Sequence, residues 1–431
     1  MLLLALMVAG SATAQKSIEF TKYTLDNGLT VILHQDATAP IVAVNVTYHV
    51  GAKNDPVGRS GFAHFFEHLL FEGTENVARG DFAKFVQDAG GVLNAYTTND
   101  QTTYYEILPA NQIGLGLWLE SERMLHAKVL EEGIETQRSV VKEERRMRVD
   151  NRPYGQLAEQ LFGMAYKEHP YRYSTIGSMD DLDAASEADY QNFYKNYYVP
   201  NNAVLVLAGD FEMDATKKMV EKYFGTIPRG KPIKRTKTVE PALTAEVRDT
   251  FYDNIQLPAV VMGYRIPGKT HADYPAVDML GQLLSQGASS RMNRRLVDEK
   301  QLAVAAGNQS AGLEDPGIVL TFAIANVGIE PSKLETEINA LIKEARDTKP
   351  SEREFQKLRN QVESDFISGY GSMEGIAGSL ADFETFYGDA NLINKMVDKY
   401  LAVTPDDLQR VAKKYFTDNN RVVLYYLPKP M

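Results

Sequence analysis

The feature that most constrains the fold of this chain is a repeat inside it. Asn201-Asn202-Ala203-Val204 recurs as Asn419-Asn420-Arg421-Val422, 218 positions later. The stretch before it keeps that offset: Ser186-Glu187-Ala188-Asp189-Tyr190-Gln191 faces Thr404-Pro405-Asp406-Asp407-Leu408-Gln409, and Tyr197 faces Tyr415. Far upstream, Pro40-Ile41-Val42-Ala43-Val44 faces Pro258-Ala259-Val260-Val261-Met262, again 218 apart. One offset kept at three separated places means one unit written twice, each copy of ordinary domain size. The stretch from Pro228 to Pro241 is Pro-rich, charged and without apolar periodicity, so it reads as a solvated connector. The expected layout is a first copy over 15–227, a linker over 228–241 and a second copy over 242–431.

Within each copy, strands and helices mix. Tyr23-Thr24-Leu25 and Leu29 to Leu33 flank Asp26-Asn27-Gly28, a hairpin signal. Ile41 to Val50 is a β-branched run, and Val204 to Ala208 and Val422 to Leu427 are short, fully apolar strands. Helical stripes run over Phe62–Phe71, Phe82–Ala89, Ile113–Met124 and Ile134–Val149. Strand pairs separated by runs of helices predict an α+β fold, two tandem α/β sandwiches. Leu2 to Gly10 is apolar and ends in Ser11-Ala12-Thr13-Ala14, so residues 1–14 read as a signal peptide cleaved before Gln15. Export to a bacterial periplasm is the corresponding expectation. The run is too short to span a bilayer, so no stable membrane insertion is expected.

The 431 residues include no cysteine, which removes disulfides, thiolate nucleophiles and Cys-type metal sites. Any metal must sit on His, Asp or Glu. A net charge of −11 disfavours sequence-independent nucleic-acid binding. Against that background His64-Phe65-Phe66-Glu67-His68 stands out. Phe62, Phe65, Phe66, Leu69 and Leu70 would face a core, which leaves His64, Glu67 and His68 on another stripe. Residues four apart on a helix are neighbours, so two imidazoles there can reach one Zn²⁺. Glu67 lies beside them, placed to take a proton from an activated water. The competing reading is a solvated polar stripe. It is weakened by the aromatic face opposite, because unpaired ionisable groups on a mostly buried helix are costly.

Further landmarks surround the pentapeptide. Val50-Gly51-Ala52-Lys53-Asn54 precedes it and Phe71-Glu72-Gly73-Thr74 follows it. Then come Gly90-Gly91-Val92-Leu93-Asn94-Ala95-Tyr96-Thr97 and Thr103-Tyr104-Tyr105. Together these resemble the pitrilysin/insulinase (M16) zinc peptidases with an H-x-x-E-H motif, in the branch of the mitochondrial processing peptidase β subunit and its bacterial relatives. The resemblance covers nearly the whole chain and implies half of a clamshell. It implies Zn²⁺ held by His64, His68 and a third ligand in a segment R-x-V-x-x-x-E. Arg138-Ser139-Val140-Val141-Lys142-Glu143-Glu144 matches that segment and selects Glu144, although spacing alone leaves Glu143 open. The family usually places a Glu before that Arg, next to the metal ligands, where this chain has Gln137. The resemblance further implies a metalloendopeptidase acting on peptides or unfolded segments through a zinc-activated water, with Glu67 as general base. Extended substrate would add to an edge strand containing Asn94, Ala95 and Tyr96. For Asn94 a local turn-type bond is the alternative.

The second copy departs from this pattern. At the 218 offset, His64, Glu67 and His68 become Gln282, Ser285 and Gln286, so one chain carries one zinc. Relatives carry an Arg and a Tyr seven residues apart in this half that contact bound peptide; here those places hold Val297 and Val304. The resemblance therefore implies a homologous partner subunit that lacks the zinc motif and carries the Arg/Tyr pair, with a homodimer as the alternative. A non-catalytic peptide-binding or scaffold subunit is the competing function. Retention of His64, Glu67, His68 and Glu144 argues against it.

Overall fold

A computed structural model describes residues 17–235 and 237–430 of the protein. The apolar segment and the cleavage site expected before Gln15 lie outside the described residues. The first half contains strands β1 (Thr21–Thr24), β2 (Thr30–Gln35), β3 (Ile41–Tyr48), β4 (Val92–Thr97), β5 (Thr102–Pro109) and β6 (Ala203–Gly209). Its helices are α1 (Phe62–Leu69), α2 (Asp81–Asp88), α3 (Ile113–His126), α4 (Glu131–Arg145), α5 (Leu157–Ala165), α6 (Met179–Ala184), α7 (Glu187–Tyr197) and α8 (Met213–Phe224). The second half contains β7 (Val247–Asp253), β8 (Ala259–Arg265), β9 (Ala303–Ala311), β10 (Ile318–Ala325) and β11 (Arg421–Pro428). Its helices are α9 (Tyr274–Ser285), α10 (Pro331–Asp347), α11 (Glu352–Gly369), α12 (Met373–Tyr387), α13 (Met396–Leu401) and α14 (Pro405–Tyr415).

The first sheet has the order β1-β2-β6-β3-β5-β4 and the second β7-β11-β8-β10-β9. The two orders coincide once the extra strand β1 is set aside. In each sheet the other pairs are antiparallel and one is parallel, β2 with β6 and β7 with β11. This is the predicted α+β architecture, two antiparallel-rich sheets under helices. The hairpin over Asp26-Asn27-Gly28 forms as expected, with Gly28 at φ 91°, which a side chain would resist.

The repeated sequence marks repeated contacts. Ser186 and Asp189 form a capping box at the start of α7, and Thr404 and Asp407 form the same box at the start of α14. Asn202 Nδ2 donates to the Tyr197 carbonyl at 2.8 Å, and Asn420 Nδ2 donates to that of Tyr415 at 2.7 Å. Each amide thus satisfies a carbonyl left over at a helix C-terminus and fixes where the next strand begins.

Both sheets are covered on two faces, which is why β3, β6 and β8 are buried along their whole length apart from the start of β3. On the first sheet Val31, Leu33, Val44, Leu205 and Leu207 face helices of their own half. The alternate residues Ile32, Ala43, Val204 and Val206 pack instead on Ile376, Ala377, Leu380 and Ala381 of α12, from the second half. The second sheet mirrors this: Val261, Ile318, Val422 and Leu424 pack on Leu161 and Ala165 of α5, from the first half. Each half therefore lends a helix to the other.

The linker is more firmly held than a solvated connector. Arg235 donates to Asn202 Oδ1 at 2.7 Å and to the His49 carbonyl at 3.1 Å. Glu240 accepts three backbone N–H groups, from Lys167, Glu168 and His169, and pairs with Arg265.

Candidate metal centre

Helix α1 is clamped at both ends. Before it, Gly61 sits at φ 92°, and a Cβ there would lie 2.7 Å from the Ile176 carbonyl oxygen. Asp55 accepts from the N–H groups of Gly61 and Ala63, capping the helix start. At its C-terminal end the Tyr104 hydroxyl donates to the Phe66 carbonyl at 2.7 Å, and Arg123 donates to the Leu70 carbonyl at 2.8 Å. Arg123 is wholly buried between the rings of Phe71, Phe82 and Tyr104 and is paired with Glu120. Along the apolar face, Phe62 stacks on Tyr190 and Phe66 on Phe193. The polar stripe is left facing α4.

There His64, His68 and Glu144 converge. Their ligand atoms all lie within 4.8 Å of one another. His68 Nε2 is 3.1 Å and His64 Nε2 is 3.5 Å from Glu144 Oε2. That oxygen is buried, and among the described residues it has no partner other than the two imidazoles. Tetrahedral zinc with ligands at about 2.0–2.1 Å sets its donor atoms roughly 3.4 Å apart, so two imidazoles and a carboxylate in this arrangement fit the ion. Burial, with His68 beside it, pushes His64 down to about 4, which keeps its imidazole neutral and able to act as a ligand. The facing His68 imidazole, with His64 and Arg148, holds the Glu144 carboxyl below the usual range. Glu143, the alternative ligand, points outward and pairs with Arg146 at 3.0 Å.

Glu67 lies next to this group. Burial raises its carboxyl above the usual range, and Glu144 adds to the shift; Thr97, His68 and Arg148 oppose it. Strand β4 is the edge of the first sheet. The Thr98 N–H donates to the Gln101 carbonyl at 2.8 Å, so by ladder alternation the main-chain groups of Leu93, Ala95 and Thr97 point away from β5. Asn94 and Tyr96 present exposed side chains, whereas the Ala95 side chain is buried. The Asn94 side-chain oxygen accepts from the Ala95 N–H at 2.9 Å, a local bond.

Two profiles of known families match: "Insulinase (Peptidase family M16)" over residues 30–179 and "Peptidase M16 inactive domain" over residues 184–362. The chain belongs to the M16 peptidase family. Among M16 relatives it is 34% identical to a "Zinc protease PqqE" of Helicobacter pylori, over 94% of this chain and 92% of that one. A solved protease from the same organism superposes with a TM-score of 0.91 at 33% identity, covering 95% of this chain and all of that one. The periplasmic protease PqqL of Escherichia coli shares the fold, with a TM-score of 0.76 at 18% identity; 95% of this chain covers 47% of that one.

Three site features escaped the sequence reading of this M16 chain. Arg148 stands 2.7 Å from Glu144 Oε1 and holds the oxygen turned away from the imidazoles. Its i, i+4 spacing from Glu144 is a signal that could have found it. Glu72 accepts from Gln137 Nε2 and pairs with Arg79. A carboxylate thus sits against the amide that replaces the usual Glu. Asp55 caps α1 from a loop. The Glu72 contact is tertiary and the Asp55 contact a loop-to-helix cap, and neither has a periodic signature. In the second half, Gln282, Ser285 and Gln286 all fall on α9 or at its end. Val297 lies against the second core, and Val304 is 49% exposed on the edge strand β9.

Proposed function

We propose that the protein is a zinc-dependent endopeptidase whose ligands are His64, His68 and Glu144 and whose general base is Glu67. The observation that carries this reading is the convergence of two imidazoles and a carboxylate beside a second carboxylate whose proton affinity is raised. Zinc in that position supplies Lewis acidity toward a carbonyl and a water. Glu67 takes a proton from the attacking water and passes it to the leaving amine nitrogen. Its raised pKa brings it nearer the working pH, where a base is most effective. An extended peptide adds to β4 through the main-chain groups of Leu93, Ala95 and Thr97, a mode that tolerates many side chains. Asn94 and Tyr96 border that strand. Gln137 acts on the centre from the neighbouring turns of α4, with Glu72 supplying the charge it lacks.

The test is Glu67→Gln. It is expected to keep about one zinc per chain by metal analysis and to lose hydrolysis by roughly 10²–10⁴-fold. Hydrolysis at the parent rate would sink the mechanism.

The working enzyme on this reading is a pair of half-clamshells in the periplasm, this chain joined to a homologous subunit. The absence of the Arg/Tyr pair at Val297 and Val304 supports that division, as does the match of this chain to about half of PqqL. No helix among the described residues is long and apolar enough to cross a membrane. The purified chain alone is expected to hydrolyse peptides slowly, and the partner recovered with it from its native source to restore the rate. Full activity of the lone chain would refute the divided site.

A further inference from the structure

The second half keeps the frame of the metal centre without its donors. Arg138, Val141 and Glu144 on α4 recur as Arg359, Val362 and Asp365 on α11. Arg138 donates to the Ala185 carbonyl just past α6, and Arg359 to the Leu401 carbonyl at the end of α13. Gln282 and Gln286, at the places of His64 and His68, face this helix: Gln286 Nε2 donates to Asp365 Oδ2 at 2.9 Å.

At this position lies a cavity of about 310 Å³. Asp278, Gln282 and Asp365 line it, with the rings of Phe366, Phe383 and Tyr400. No Lys, Arg or His contributes to the lining. Among the described residues neither the partly buried Asp278 nor the exposed Asp365 has a cationic partner. Asp278 accepts from Gln282 Nε2 at 3.1 Å and from the Tyr400 hydroxyl at 3.2 Å, both neutral donors. With their nitrogens turned to carboxylates, Gln282 and Gln286 leave their carbonyl oxygens buried and without partners. The cavity therefore has a partly buried carboxylate, Asp278, and an exposed one at its rim, Asp365, neither paired with a cation, the free acceptor of Gln282, and aromatic walls. Desolvation by burial raises the Asp278 carboxyl, as expected for a charge that lacks its counterion. A hydrated metal ion would gain nothing from the rings. An organic cation gains from all three features, through charge, hydrogen bonds and the ring faces.

We propose that this cavity binds the guanidinium or ammonium group of a basic side chain on a bound peptide. The inference rests on the reading of the protein as one that handles peptides, and it is independent of catalysis. The test compares two fluorescent peptides, identical except that one carries arginine where the other carries citrulline, its neutral near-isostere. Binding is read by anisotropy, on the zinc-loaded Glu67→Gln chain and on the parent chain stripped of metal. The arginine peptide is expected to bind about tenfold more tightly in both forms. Asp278→Asn combined with Asp365→Asn is expected to bring the ratio to about one. Equal binding of the two peptides, or a ratio that survives the double change, overturns the proposal. So does binding of free arginine without discrimination between the peptides. If Asp278→Asn folds poorly, Asp365→Asn at the exposed rim is expected to lower the ratio to about threefold, and an unchanged ratio is again decisive against it. A parent chain that hydrolyses nothing yet keeps the ratio would sink the peptidase reading and leave this one standing.

Discussion

In the first half, His68 Nε2 and Glu144 Oε2 stand 3.1 Å apart; in the second, Gln286 Nε2 and Asp365 Oδ2 stand 2.9 Å apart. The helices, their spacing and the arginines that anchor them correspond, so the scaffold does not decide what each site holds. The difference lies in one atom type. A neutral imidazole nitrogen has a lone pair to give a metal, whereas an amide nitrogen has only hydrogens to donate. On one frame the first set brings together three groups that could hold a metal ion, and the second ties its amide nitrogens to carboxylates.

That comparison can be broken from either side. Replacing His64 and His68 with Gln would give the first half the donors of the second. All zinc and all hydrolysis are then expected to vanish, with the fold kept by circular dichroism. Placing Gln282→His, Gln286→His and Asp365→Glu together should raise the metal content from about one to about two per chain, with no second peptidase site because Ser285 stands where Glu67 would be. A ratio that stays at one would show that the two frames differ more than their helices indicate.

A smaller effect separates charge from shape next to the triad. Glu72→Gln is expected to weaken zinc binding about 10–100-fold in chelator competition. Gln137→Glu, which restores the residue usual in the family, is expected to lower stability by about 1–3 kcal/mol, because two carboxylates would then face each other. An increase in both stability and affinity would mean that Glu72 does not carry the charge at this place.

The smallest effect tests the contact between halves. Glu314, from the second half, meets His49 at 2.7 Å and Lys53, both from the first. Burial alone would raise its carboxyl, but His49 and Lys53 outweigh this and hold it at about 2. A carboxyl lowered on folding stabilises the folded state fully above its unfolded value near 4.5, and that contribution is lost as pH falls toward 2. Urea titrations from pH 6 to pH 3 should show this loss, on the order of 1 kcal/mol, and Glu314→Gln should flatten it.

Much of the molecule was legible before any coordinates. The offset of 218 anticipated matching sheets, and the repeated Ser/Thr-x-x-Asp and Asn-Asn segments turned out to be helix caps and strand anchors. The helical stripe separated Phe62, Phe65 and Phe66 from His64, Glu67 and His68, as found. The short apolar strands read at Val204–Ala208 and Val422–Leu427 lie within β6 and β11, and the structure shows that both faces of each sheet are covered. Nothing in their composition said that the cover would be a helix from the other half. Nor could periodicity pair Gln137 with Glu72, 65 positions away, or place Asp55 beneath α1.

By itself, then, the sequence determined what is local or repeated: the elements, their duplication, and which copy has imidazoles to offer a metal. Those follow from the geometry of a helix turn or a strand pleat, which a few neighbouring residues suffice to set. The tertiary structure decided what depends on distant chain segments meeting. It brought Glu144 to the imidazoles, Arg148 to the other oxygen of Glu144, and α5 and α12 across to each other's sheets. Among the described residues it also left Asp278 and Asp365 without a cation. Whether a charge is compensated depends on every group packed around it, and packing joins residues that the order of the chain keeps far apart.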